Sequence, residues 1–175
     1  VSCQKRSLTP SLQYLTIVAL LFLVFGAILT IESDNSDAEK GDKFTIDGIK
    51  YEIIEEGNVN EVSILKVDES MENYSGNGTV TYNDVTYNIT SIGENAFKYC
   101  KFLTSVTIPE NVSWIDNFAF HDCSSLSSVT IPEGVSWIGT SAFELCTSLA
   151  SLTILSEDLR IEHHAFLFCE GLKEL

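Results

Sequence analysis

Three groups of residues in this 175-residue chain carry side chains suited to catalysis or metal binding, and their spacing decides what each can do. His121-Asp122-Cys123 holds the residue types of a nucleophilic triad. Consecutive residues point in different directions, so these three cannot form the line in which an acid orients a base and the base activates a thiol. His163 and His164 are also adjacent, whereas a helical metal motif sets two histidines four apart with a glutamate between them. Cys100, Cys123, Cys146 and Cys169 share one phase and should stand in a row with neighbours about 4.8 Å apart. Ligands in a line cannot surround zinc tetrahedrally. Parallel Cα–Cβ bonds also disfavour the roughly 90° dihedral of a disulfide. The four read as structural thiols, with bridges between neighbours as the alternative. No nucleophile elbow, phosphate loop or dinucleotide fingerprint occurs. The expectation is a non-enzyme with no catalytic residue, no metal and no cofactor.

Binding chemistry is better represented. Trp114 and Trp137 lie 23 residues apart, and the same step reaches Arg160. A regular stack would align two indoles and a guanidinium on one face, a combination enriched where proteins recognise partners. The alternative is an intramolecular ladder in which Trp covers Trp and Arg160 makes a cation–π contact. A second surface is a pair of hydroxyl files, Ser105, Ser128 and Ser151 in one and Thr107, Thr130 and Thr153 in the other. It is flat and neutral, which suits a polar ligand and equally describes a solvated β face.

Both surfaces depend on a repeat that positions them. Ile92, Ile115, Ile138 and Ile161 recur every 23 residues, as do Ala96-Phe97, Ala119-Phe120, Ala142-Phe143 and Ala165-Phe166, followed by the cysteines and by Leu103, Leu126, Leu149 and Leu172. A fixed period of this size marks a solenoid, in which each unit is one supersecondary element stacked on the next. Within a unit, Ser105-Val106-Thr107-Ile108 alternates as a strand does, with Val and Ile inward and Ser and Thr outward. Pro109 and Pro132 end their strands because they cannot donate to a ladder. The Ala-Phe-x-x-Cys-x-x-Leu stretch has near-helical spacing and predicts a short helical turn.

Residues 44–90 alternate with period two and lack the repeat. Asp47-Gly48 sits between Phe44-Thr45-Ile46 and Ile49-Lys50-Tyr51-Glu52-Ile53, the strongest short-range hairpin signal. Asn83-Asp84 divides a second alternating pair. A first repeat would otherwise expose its apolar end, so 44–90 is expected to be a β-rich N-terminal cap, and 91–175 the repeats.

Ahead of them, residues 1–31 carry an apolar run from Leu15 to Ile31 behind Lys5 and Arg6, which reads as a signal peptide or a signal anchor. Either way the positive-inside bias places the rest outside the cytoplasm. Residues 32–43 form an acidic linker, too polar to order itself. Its carboxylates miss the calcium-loop spacing, since counting from Asp34 puts Ala38 fifth and no glycine sixth. The net charge of −15 excludes nucleic acid and anionic membrane surfaces as partners, leaving membrane contact only through the N-terminal segment. Asn73, Asn77, Asn88 and Asn111 head Asn-x-Ser/Thr sequons, acceptors for glycan where a host glycosylates exported proteins. The chain closes inside a further repeat, at Gly171-Leu172, and is expected to be a fragment.

The run Thr90-Ser91-Ile92-Gly93-Glu94-Asn95-Ala96-Phe97, then Cys100-Lys101-Phe102-Leu103-Thr104-Ser105-Val106-Thr107-Ile108-Pro109, closely resembles the BspA-like, treponemal-type leucine-rich repeat. The frame of that family is Ile-Gly, Ala-Phe, Cys-x-x-Leu and a strand closing with Ile-Pro. The resemblance covers 91–175. It departs at Asp116 and Glu162, which replace the frame glycine, and at Leu155, which replaces the strand proline, and local distortion is expected at that strand exit. The resemblance implies surface or secreted proteins, several associated with adhesion, and no shared catalytic site. The expected function is an adhesin-like extracellular module binding a protein or glycan. A targeting or spacer domain of a larger secreted enzyme is the alternative.

Overall fold

Two kinds of turn, the tight hairpin and the long coil, organise the twelve strands of the chain. The computed structural model describes residues 38–55 and 60–173. The signal or anchor segment, with Cys3, and positions 32–37 of the linker lie outside the described residues. Strands β1 (Lys43–Ile46) and β2 (Ile49–Glu55) pair antiparallel across Asp47 and Gly48, which take φ of 50° and 77°. Strands β5 (Thr79–Tyr82) and β6 (Val85–Ile92) pair likewise across Asn83 and Asp84, at 48° and 63°. Positive φ at both central residues matches the right-handed twist of the strands, the reason these pairs mark hairpins.

Between the hairpins the chain makes a coil that the sequence period does not show. Strand β3 (Glu61–Lys66) is antiparallel to β2 but parallel to β6, placing Ile64 opposite Ile92. Strand β4 (Asn73–Ser75) runs parallel to β7 (Ser105–Thr107), with Tyr74 opposite Val106. Residues 61–75 are therefore stacked as a turn of the solenoid, inside the segment expected to be purely a cap.

From β7 onward each coil gives one strand to each of two sheets. Strands β8 (Trp114–Ile115), β10 (Trp137–Ile138) and β12 (Arg160–Ile161) extend the sheet β1-β2-β3-β6, to which β5 also pairs. Strands β9 (Ser128–Ile131) and β11 (Ser151–Ile154) extend β4-β7. The third side of each coil is turn, and here the structure corrects the sequence reading: among the described residues there is no helix. Ala96, Cys100 and Leu103 donate three residues back, to Gly93, Phe97 and Cys100, but the N–H groups between them reach sideways to the next coil. Asn95 donates to Asn117, Phe97 to Ala119 and Tyr99 to His121. That pattern forces Asn95 and Tyr99 into left-handed conformation, and the same happens at Phe118 and Asp122, Ser141 and Leu145, and His164 and Phe168. Each such residue costs about 1–2 kcal/mol, while each hydrogen bond returns about 0.5–1.5 kcal/mol. The exchange is close to even, and the rings buried beneath it tip the balance.

Those rings form a column. Phe97, Phe120 and Phe143 are fully buried, stacking at 4.7 and 4.9 Å between centroids, and Phe143 stacks on Phe166 at 5.1 Å. Tyr74 ends the column with its ring edge-on to Phe97. Beside it run the four cysteines, all buried and free. Cys123, Cys146 and Cys169 each donate to the carbonyl of the phenylalanine 26 residues earlier, Phe97, Phe120 and Phe143, at 3.1–3.2 Å. A small apolar residue with one weak donor suits that position, because an alanine would leave the carbonyl unpaired.

The three departures from the repeat frame leave the ladders regular. Asp116 donates to Ile92 and Glu162 to Ile138, as Gly139 does to Ile115. The distortion expected at Leu155 does not occur. Strand β11 stays in register with β9 through Ile154, and Leu155 adds a bond to Ile131 of 2.9 Å that a proline could not donate.

Phe120→Ala should cost about 3–5 kcal/mol in urea unfolding, since it breaks the column at its middle. The four buried cysteines should resist Ellman's reagent in the native protein and react fully in urea. Burial pushes the Cys100 thiol up to about 11, whereas an unfolded thiol ionises near about 8.5. Its stabilising effect is complete below the unfolded value and is lost as pH rises through the folded one. The urea midpoint should accordingly fall between about pH 8.5 and about pH 11, and less so in Cys100→Ala.

Candidate functional site

The outward face of β8, β10 and β12 carries one residue per coil. Trp114 stands opposite Trp137, and Trp137 opposite Arg160, so the file read from the sequence exists in register. The inward residues Ile115 and Ile138, next in the chain, are fully buried and hold the strands down. Trp114 is 54% exposed, Trp137 is half-buried and Arg160 is exposed. Among the described residues neither indole joins a ring pair or a cation–π contact, so the ladder of stacked indoles is not formed. Glu162 takes its place: its Oε1 accepts from Trp137 Nε1 at 3.3 Å and from Arg160 Nε at 2.7 Å. Trp137 and Arg160 are pinned by one carboxylate, and Trp114 is left open.

The second sheet presents the hydroxyl files as expected. Ser105 lies opposite Ser128, Ser128 opposite Ser151 and Thr130 opposite Thr153, with Thr107 two residues on from Ser105, and all six are exposed. Asn73 and Ser75 continue the files into β4. The Asn73 side-chain oxygen accepts from Ser105 Oγ at 2.7 Å and from Thr104 Oγ1 at 3.0 Å, which closes that end of the surface. The residues heading the four sequons are exposed.

The catalytic residue types disperse as expected. Cys123 donates to Phe97, Asp122 pairs with Lys101 at 3.1 Å, and His121 Nδ1 faces Glu144 at 3.7 Å. His163 and His164 are exposed on the turn side. Among the described residues no three His, Cys, Asp or Glu side chains converge as a metal site would require.

Two features escaped the sequence reading. Glu162 bridges the Trp file; it lies two residues beyond Arg160 and so on the same side, a signal that alternation alone contains. On the turn side, Lys98 lies 5.1 Å over Tyr99 and 4.9 Å over Phe118, and both rings meet His121 edge-on. Lys98 and His121 share a phase, but Tyr99 and Phe118 do not, so the period gives no warning of the cluster.

A family model described as a BspA type leucine rich repeat region matches residues 54–175 in six copies. The match begins within the region read as cap, in keeping with the extra coil at 61–75. No curated protein matches. Among solved structures, a leucine rich cell surface protein from Faecalibacterium prausnitzii A2-165 is similar at 28% identity and a TM-score of 0.62, over 77% of this chain and 36% of that one. The pneumococcal vaccine antigen PcpA shares the fold at 22% identity and a TM-score of 0.54, over 73% of this chain and 42% of that one. A leucine rich repeat protein of T. pallidum shares it at 17% identity and a TM-score of 0.56, over 75% and 69%. The chain thus spans less than half the length of the first two.

Because Trp114 projects from a strand whose inward neighbour anchors it, the two should differ sharply on truncation. Trp114→Ala should change unfolding stability by no more than about 1 kcal/mol, and Ile115→Ala should cost about 2–5 kcal/mol, both read from urea melts.

Proposed function

Because the chain belongs to the BspA-type leucine-rich repeat family, we propose that it works as a non-enzymatic, adhesin-like binding module outside the cytoplasm, taking a protein or glycan ligand on the file of Trp114, Trp137 and Arg160. One observation carries this reading: a large indole is held exposed on a rigid parallel ladder, in register with a second indole and a cation. An exposed Trp forfeits burial worth about 1.5–3 kcal/mol for a large apolar side chain, and large aromatics on a rigid face are typical centres of recognition. The cell-surface description of the F. prausnitzii protein supports the location, as do Lys5 and Arg6 ahead of the apolar segment. The hydroxyl files of Ser105, Thr107, Ser128, Thr130, Ser151 and Thr153 are the secondary surface. A targeting or spacer segment of a larger secreted enzyme is the second reading, favoured by the 36% of the F. prausnitzii protein that the chain spans.

The full chain, presented to an array of extracellular-matrix proteins and glycans, should bind at least one of them, and Trp114→Ala/Trp137→Ala should lose that binding while keeping its urea midpoint near the parent's. Binding retained by the double variant moves the site to the hydroxyl files. Silence from both proteins favours the spacer.

A further inference from the structure

The Trp file already seats one cation from its own chain. Arg160 stands opposite Trp137 across β10 and β12, and Glu162 Oε1 accepts from both, so indole, carboxylate and guanidinium share one patch. The other end of the file has an indole and a carboxylate but no cation. Trp114 is 54% exposed, and Asp116 follows it by two residues, as Glu162 follows Arg160, which sets both carboxylates on the outward side. One Asp116 oxygen accepts from the Asn117 N–H at 2.7 Å; the residue is half-exposed, so its charge is felt at the surface.

The chain's own cations are committed elsewhere. Lys40 pairs with Glu55, Lys43 with Glu52, Lys66 with Glu69 and Lys101 with Asp122, and Lys98 lies over Tyr99 and Phe118. A net charge of −15 remains, a field that draws basic partners and raises their rate of encounter. A neutral sugar would stack on Trp114 equally well but would gain nothing from that field.

Resting on the reading of this file as the binding surface, we propose that Trp114 and Asp116 form a subsite for a lysine or arginine side chain in a basic segment of a partner protein. The cation lies over the exposed indole face, where a cation–π contact is strongest for Trp, and the Asp116 carboxylate faces its charge. The Trp137–Glu162–Arg160 patch is the intramolecular counterpart of that complex.

The test uses the full chain and a fluorescently labelled peptide of alternating glycine and arginine, beside the same peptide with citrulline, which keeps the shape and removes the charge. Anisotropy should show saturable binding of the arginine peptide, about tenfold weaker for citrulline, and weaker again when salt rises from about 0.05 M to about 0.3 M. Trp114→Ala should lose about tenfold and Trp114→Phe less, while Asp116→Asn should lose several-fold; matching urea midpoints confirm that each variant is folded. Equal affinity for the two peptides, undiminished binding by Trp114→Ala, or no binding overturns the subsite, as does displacement of the array ligand by a neutral oligosaccharide but not by the arginine peptide. If Trp114→Ala abolishes binding of the array ligand while the arginine peptide fails to bind, only the cation subsite falls. If the array ligand ignores Trp114→Ala and Trp137→Ala alike, the reading of the file falls with it.

Discussion

No coil of this protein can bury its own apolar row, and the contact between successive coils is what everything else depends on. Ile115 and Ile138 are fully buried, whereas Ile161, the same position in the last coil described, is 45% exposed. Val129 and Ile131 are buried, yet Leu152 is only half-buried and Ile154 is exposed. The difference is the presence or absence of the following coil. Stability in such a stack is a sum over neighbouring interfaces, with little contributed by a unit in isolation.

The same contact overrides local preference. On the turn side of each coil, non-glycine residues adopt left-handed backbone so that alternate N–H groups can reach the next coil. Two strand ladders and this third, irregular one hold each coil on three sides. The phenylalanine column and the thiols that pair with its carbonyls fill the space between. At the N-terminal end the device changes. Antiparallel hairpins with two-residue turns run beside the parallel stack, and Tyr74 meets the last ring edge-on where the column stops.

A stack locked in this way turns sequence period into surface pattern. Trp114, Trp137 and Arg160 are held in one line because Ile115 and Ile138 beneath them cannot move. Selection on a single outward position therefore changes the chemistry of a fixed place on a rigid face, which suits a recognition surface better than a site needing several groups to converge on one atom. His121, Asp122 and Cys123 make the point. They are neighbours in sequence and are sent to three separate partners on adjacent coils.

The sequence by itself determined the solenoid, its inward and outward positions, the two hairpin turns and the alignment of the Trp and hydroxyl files. An uninterrupted period of 23 maps equal phase onto equal position, so residues one period apart must be neighbours. Tertiary structure alone decided the rest. The coil at 61–75 was hidden because Ile64 pairs with Ile92 and Tyr74 with Val106, offsets of 28 and 32 residues that no fixed period contains. The turn side looked helical because spacings of three and four serve a helix and successive turns alike. Only the competition between bonds within a coil and bonds to the next could choose between them. The Glu162 bridge and the Lys98 cluster join residues of different phase, and a period carries no information about such neighbours until the coils are stacked.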